Sequence, residues 1–172
     1  MQEALVKMQA LSDLPIEWHF VGPIQSNKAK QIALHFDWVH GVDRGKIAVA
    51  LSRNRPEDKG PLNVCIQVNV SGESSKSGVA PHEALPLARA IVALPGLRLR
   101  GLMGIVENTR DTLVQHAQFR MLRELREQFG TAGISLDTLS MGMSQDFEVA
   151  IAEGSNMVRI GTAIFGSREA VS

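Results

Sequence analysis

Two short runs near the C-terminus carry the residues best suited to chemistry. Residues 157–160, Met-Val-Arg-Ile, read as a strand that stops at Gly161 and gives way to a short helical tail from about Thr162. Free N–H groups at such a start, with a threonine hydroxyl beside them, suit a phosphate. An ordinary helix cap with a turn glycine is the plainer reading of the same residues. Alternation puts Arg159 on the face of Met157 and Gly161, opposite Val158 and Ile160. If that face lines a barrel, the guanidinium loses water and needs a partner, either a ligand group or a carboxylate. The second run is Leu139-Ser140-Met141-Gly142-Met143-Ser144. It reads as a strand over 136–140, a glycine loop, and a helix over 145–153 with Ser144 at its N-cap. The Ser144 hydroxyl could also donate to the phosphate at the Gly161-Thr162 turn.

Other candidates are weaker. His19 sits among aromatic residues on a strand, where a histidine is either a hydrogen-bonded core residue or a catalyst. Lys28 falls on the first turn of a helix and is expected to be solvated. Gln67 and Asn69 could point into a barrel or bond within the core. There is no G-x-x-x-x-G-K-[ST] loop, C-x-x-C, H-E-x-x-H or G-x-S-x-G run. His35, His40, His82 and His116 show no ligand spacing, so no metal is expected. Cys65 is read as a small buried residue.

The elements that must position these residues alternate from end to end. A short helix over 2–11, with Leu5, Met8 and Leu11 on one side, precedes strands at 18–21, 37–42, 62–70, 97–105, 136–140 and 157–160. The clearest strand is 62–70, where Val64, Ile66, Val68 and Val70 alternate with Asn63, Cys65, Gln67 and Asn69. Ser26 is expected to cap a helix burying Ala29, Ile32, Ala33 and Phe36, and Asp43 the next, burying Ile47, Ala50 and Leu51. Residues 71–78 read as a loop. Pro81 opens a helix in which Pro86 predicts a bend or a later start. The longest helix, 111–129, shows a stripe of Val114, Ala117, Met121 and Leu125 and should end at Gly130.

This is an α/β chain with a mainly parallel sheet and one domain over 1–172. Six strands in 172 residues fit a doubly wound sheet more simply than a barrel, which typically takes about 250 residues. A formal net charge of zero argues against a nucleic-acid partner. No run of about 18 apolar residues predicts a membrane span. The single cysteine allows no intramolecular disulfide, so a cytoplasmic protein is the expectation.

The runs WHFVGPIQSNKAK, FDWVHGVDR, NVCIQVNVSGESSKSG, LRGLMGI and LDTLSMGMSQDFEVAIAEGSNMVRIGTAIFG resemble, in order and spacing, the pyridoxal phosphate homeostasis proteins. The pairing of SMGMS-x-D with VRIGTAIFG carries most of the specificity, and the similarity covers nearly the whole chain. The resemblance implies a (β/α)8 TIM-type barrel of the alanine racemase N-terminal type, which reverses the preference for an open sheet. It implies that Ser144, Gly161 and Thr162 hold the phosphate of pyridoxal 5'-phosphate (PLP) and that Arg159 faces the pyridine nitrogen. The family begins with a strand ending in a lysine that holds PLP covalently, followed by a strand with an asparagine near the cofactor. Met1-Gln2-Glu3-Ala4 matches the helix after that second strand, so the barrel is expected to be incomplete, with about six strands, the first two and the anchor missing. None of Lys7, Lys28, Lys30, Lys46, Lys59 and Lys76 matches the anchor. The implied function is non-catalytic PLP binding in vitamin B6 homeostasis, by a monomer or weak homodimer. The alternatives are a PLP-dependent amino-acid racemase-like enzyme and an inactive truncated fragment. Racemisation needs a base on each face of the cofactor, and the chain has no tyrosine.

Overall fold

The computed structural model describes residues 1–73 and 76–166. Residues 74 and 75 of the expected loop, and the last six of the expected domain, lie outside the described residues. Helix α1 (Gln2–Ala10) comes first, then β1 (His19–Phe20), α2 (Ala29–His35), β2 (Trp38–Val42), α3 (Gly45–Asn54) and β3 (Leu62–Val68). They are followed by α4 (Pro81–Val92), β4 (Leu97–Gly104), α5 (Thr112–Thr131), β5 (Thr138–Met143), α6 (Phe147–Ala152), β6 (Met157–Arg159) and α7 (Thr162–Phe165).

The strands pair in chain order, β1-β2-β3-β4-β5-β6, and every pairing is parallel. A doubly wound sheet reverses its order part-way; this one does not. Right-handed crossovers that never reverse put the helices on one face. That face carries the main core, in which Leu62, Val64, Ile66 and Val68 of β3 meet Ile32, Leu51, Ile91 and Leu122 of the helices. The other face carries a smaller cluster of Trp38, Cys65, Met103 and Met157. The sheet is strongly curled: His40 of β2 bonds Ser140 of β5 at 2.8 Å. In a flat sheet three strand spacings, about 14 Å, would separate them. The fold is therefore a sector of a (β/α) barrel, six strands wide, and its inner face is a lumen. At the N-terminal end of the strands, Arg100 lies 4.6 Å over the Trp38 ring and donates to Asp137 and Asn63.

Several local expectations are corrected. Helix α4 runs through Pro86 without a break, because the exposed ring faces solvent and only one N–H is lost. Neither Ser26 nor Asp43 caps a helix: a 3-10 turn at Ser26–Lys28 leads into α2, and Asp43 bonds Arg44 instead. Leu11 falls outside α1, which buries no residue. Asp111 does cap α5, accepting from the N–H groups of Leu113 and Val114. The buried face of α5 is Gln115, Gln118, Phe119, Leu122, Leu125 and Phe129, while Ala117 and Met121 are exposed, and the helix passes Gly130 to Thr131. The stripe is rotated because two glutamines are buried for their amides. Gln115 Nε2 donates to Thr109 O at 2.7 Å, and Gln118 Oε1 accepts from Glu107 N–H at 2.8 Å. Together they tie down the loop after β4.

Buried Glu153, just after α6, accepts from His116 Nδ1 (2.8 Å), Arg120 Nη2 (3.2 Å) and Arg123 Nη1 (2.8 Å) of α5. The His116 hydrogen bond, then the two guanidinium groups, hold its carboxyl below the ordinary value of 4.5 against the opposing effect of burial. A lowered native pKa contributes stability that is present above the unfolded value and lost as pH falls through the native one. Glu153→Gln should therefore cost about 1–2 kcal/mol at neutral pH. Urea titrations at a series of pH values should show that cost shrinking as pH falls below about 4.5, where the unfolded carboxyl and then, lower still, the native one take up protons.

Candidate functional site

The ends of β5 and β6 build the site. Their register pairs Ser140 with Met157 and Met143 with Arg159, so Arg159 lies beside the residue that precedes Ser144. Strand β5 runs three residues further than its sequence suggests, through Gly142. Gly142 has φ +95° at a register shift, and a Cβ there would stand 2.6 Å from Ala150 Cβ. Only glycine fits this bend without strain. The chain then turns over 144–146, held by Asp146: its Oδ1 accepts from Met143 N–H at 2.6 Å and its own N–H donates to Met143 O.

Ser144 does not cap the helix that follows it. Helix α6 starts later, at Phe147, with Asp146 at the N-cap position. The Ser144 hydroxyl reaches across to β6 instead, accepting from Gly161 N–H at 3.2 Å and Ala163 N–H at 3.3 Å. Thr162 opens α7, and both it and Gly161 are exposed. A Cβ placed on Gly161 would meet nothing within 4 Å, so the backbone there faces open space. Sequence neighbours of two strands thus bring together two backbone N–H donors and the hydroxyl-bearing residues Ser144 and Thr162. That donor set suits the oxygens of a small anion.

Arg159 points into the lumen, as alternation requires. Its partners among the described residues are backbone carbonyls and a hydroxyl, with no carboxylate among them. Nη1 donates to Ser140 O (2.6 Å) and Ser140 Oγ (2.8 Å), and Nη2 donates to Gly104 O (3.0 Å). Burial pulls the guanidinium below its ordinary value, and Asp146 opposes the shift; a guanidinium nevertheless stays protonated in a protein. Three of its five N–H groups are used, leaving two for another acceptor.

Beside Ser140 stands His40, only 1% exposed. Its Nδ1 lies 2.8 Å from Ser140 Oγ and its Nε2 2.9 Å from His19 Nδ1. His19 Nε2 in turn lies 3.3 Å from Glu17 Oε2, and the His19 ring stacks on Trp38 with centroids 5.3 Å apart. Burial, then His19 and Arg159, push the His40 pKa down to about 4, so the ring is neutral at pH 7. The Trp38 indole, then the His19 ring, hold the Glu17 carboxyl below its ordinary value against burial. His19 is therefore a hydrogen-bonded, half-buried lumen residue.

Gln67 and Asn69 separate. Gln67 is buried, its Nε2 donating to Ser77 O at 3.2 Å, while its Oε1 has no partner among the described residues. Asn69 shapes the loop after β3, donating to Glu73 O and accepting from Gly72 N–H and Ser71 Oγ. Burial pushes the Cys65 thiol up to about 12, which makes it inert as a nucleophile at pH 7. All six lysines are exposed, and none lies on a strand. Among the described residues no three His, Cys, Asp or Glu side chains converge as a metal site would need. No helix there is long and apolar enough to cross a membrane.

Sequence reasoning missed Ser140, His40 and Asp146. Period two was the available signal, since Trp38 and His40 share a strand face and so do Ser140 and Gly142.

Comparison with known proteins bears on this geometry. Residues 1–169 match the family model described as alanine racemase, N-terminal domain. A pyridoxal phosphate homeostasis protein of Pseudomonas aeruginosa is 60% identical over 169 residues, which cover 98% of this chain and 72% of that protein. PipY of Synechococcus elongatus, solved without PLP, superimposes with a TM-score of 0.88 at 36% identity, covering 96% of this chain and 78% of PipY. PipY has also been solved with PLP bound; that structure gives a TM-score of 0.82 at 34% identity over the same shares of the two chains. An alanine racemase of Clostridium difficile, at 12% identity and a TM-score of 0.79 over 99% of this chain and 44% of that one, shares the fold alone. The chain spans about three quarters of the homeostasis relatives it matches, and in sequence and fold it belongs to the pyridoxal phosphate homeostasis protein family.

Proposed function

We propose that this chain binds PLP non-covalently, serves PLP homeostasis, and catalyses no reaction. One observation carries the reading: Ser144 Oγ, Gly161 N–H and Ala163 N–H converge within 3.3 Å, beside Thr162 and open space, at the strand ends that also present Arg159. Ser144, Gly161 and Thr162 would hold the phosphate, the N–H groups exchanging the serine oxygen for phosphate oxygens. The two unused N–H groups of Arg159 would face the pyridine nitrogen. PLP brings an aldehyde and an electron-accepting ring, and a ring nitrogen opposite a guanidinium stays unprotonated and accepts electrons poorly. This favours carriage over catalysis. So does the make-up of the lumen: it holds no tyrosine, and the lysines are exposed and off the strands. The same reading has it work in the cytoplasm as a monomer or weak homodimer, consistent with its lone, buried cysteine.

The test is a PLP titration of the chain against the Ser144→Ala/Thr162→Ala double variant, followed by borohydride reduction. Losing two hydroxyl contacts to a charged acceptor should cost about 3 kcal/mol, on the order of 100-fold in Kd. Borohydride should leave no PLP fixed to a lysine. Equal binding by the two chains would reject the phosphate assignment, and a reduced lysine adduct would reject non-covalent binding.

A further inference from the structure

We infer that Ser140, His40 and His19 are positioning residues that fix the Arg159 guanidinium through a one-way chain of donors ending at Glu17. The inference rests on Arg159 facing the ligand, as proposed above. The direction follows from counting protons. Arg159 can only donate, so Ser140 Oγ accepts from Nη1 at 2.8 Å. The serine has one proton to place, and the neighbouring acceptor is His40 Nδ1 at 2.8 Å. A neutral His40 that accepts at Nδ1 carries its proton on Nε2, which then donates to His19 Nδ1 at 2.9 Å. His19 is thereby also protonated at Nε2, the atom that faces Glu17 Oε2 at 3.3 Å.

The reverse direction fails at both ends. If His40 donated from Nδ1, the Ser140 proton would have no acceptor among the described residues. A neutral His19 would then turn a bare Nε2 toward the Glu17 carboxylate, acceptor against acceptor. Only the forward order pairs every group. It links a half-buried cation on β6 to a carboxylate before β1, through residues of β5, β2 and β1, and leaves Arg159 little freedom to rotate. A polar network whose members are all paired is rigid, which is the property a ligand-facing guanidinium needs.

The experiment is nitrogen NMR on the ligand-free chain, labelled with ¹⁵N at histidine and arginine, at about pH 7.5, where an ordinary histidine is mostly neutral. His40 and His19 should both appear as Nε2–H tautomers, and the Arg159 Nη sites should be resolved by slow rotation. Ser140→Ala should average the Arg159 Nη signals and remove the tautomer preference of His40; Ser140→Thr, which keeps the hydroxyl, should restore both. An Nδ1–H tautomer or an imidazolium at His40 in the unsubstituted chain would overturn the inference, whether or not Ser140→Ala folds. So would Arg159 signals unchanged by Ser140→Ala. None of these spectra requires PLP, so a chain with the expected tautomers that fails to bind PLP contradicts the binding proposal alone.

Discussion

Gly101→Ala should lower the unfolding free energy by about 3 kcal/mol or more, the upper range for overpacking a tight site. Gly101 of β4 pairs with Thr138 of β5, and a Cβ there would stand 1.8 Å from Thr138 O and 2.6 Å from Thr138 C. Both are backbone atoms of the neighbouring strand, so the clash is relieved only by parting β4 from β5. That pairing also sets Met103 opposite Ser140 and places the Gly104 carbonyl that Arg159 uses. The variant should therefore lose the Arg159 site together with its stability. Gly130→Ala is the matched control. Gly130 lies within α5, and a Cβ there meets nothing within 4 Å. Alanine should stabilise the helix by about 0.5–1 kcal/mol. Urea denaturation of the two variants should move the midpoint in opposite directions.

The second large effect is on pH. His40 has an ordinary pKa of 6.5 that falls to about 4 in the folded chain. The unfolded chain therefore binds the extra proton first, and stability rises with pH between those values. The contribution is complete above about pH 6.5 and gone below about pH 4, amounting to about 3 kcal/mol in all. About 2 kcal/mol of it should be lost between pH 7 and pH 5. The groups facing His40 are His19 from β1, Trp38 from β2, Ser140 from β5 and Arg159 from β6. The depressed carboxylates Glu17, Asp137 and Glu153 act mainly at lower pH. His40→Gln should flatten the stability profile from pH 7 to pH 5; an unchanged slope would place the titration elsewhere.

Much of the frame is legible in the residues. Alternation in β3 and the punctuation by Gly and Pro place all six strands within a few residues of their observed limits. The choice of barrel over open sheet is different, because it depends on curvature, and nothing local in the chain encodes a contact between His40 and Ser140. The face of α5 is obscured for another reason. Hydrophobic periodicity selects Ala117 and Met121, but the helix buries Gln115 and Gln118, whose amides find carbonyl and N–H partners in a neighbouring loop. A polar residue with a long-range partner looks like a surface residue until the partner is known. Ser144 shows the same limit. Its type and place suggest a cap on the helix that follows, yet its partners lie 17 and 19 residues away. The segments of the candidate site were visible in sequence; their convergence needed the sheet.

Binding of PLP at the Ser144–Gly161–Thr162 end of the lumen is tested most directly by backbone amide spectra of the ¹⁵N-labelled chain titrated with PLP. The Gly161 and Ala163 amides should show the largest saturable shifts, because they exchange a serine oxygen for phosphate oxygens, and the Arg159 side-chain signals should move with them. Saturable shifts clustered elsewhere, with Gly161 and Ala163 unmoved, would contradict the site.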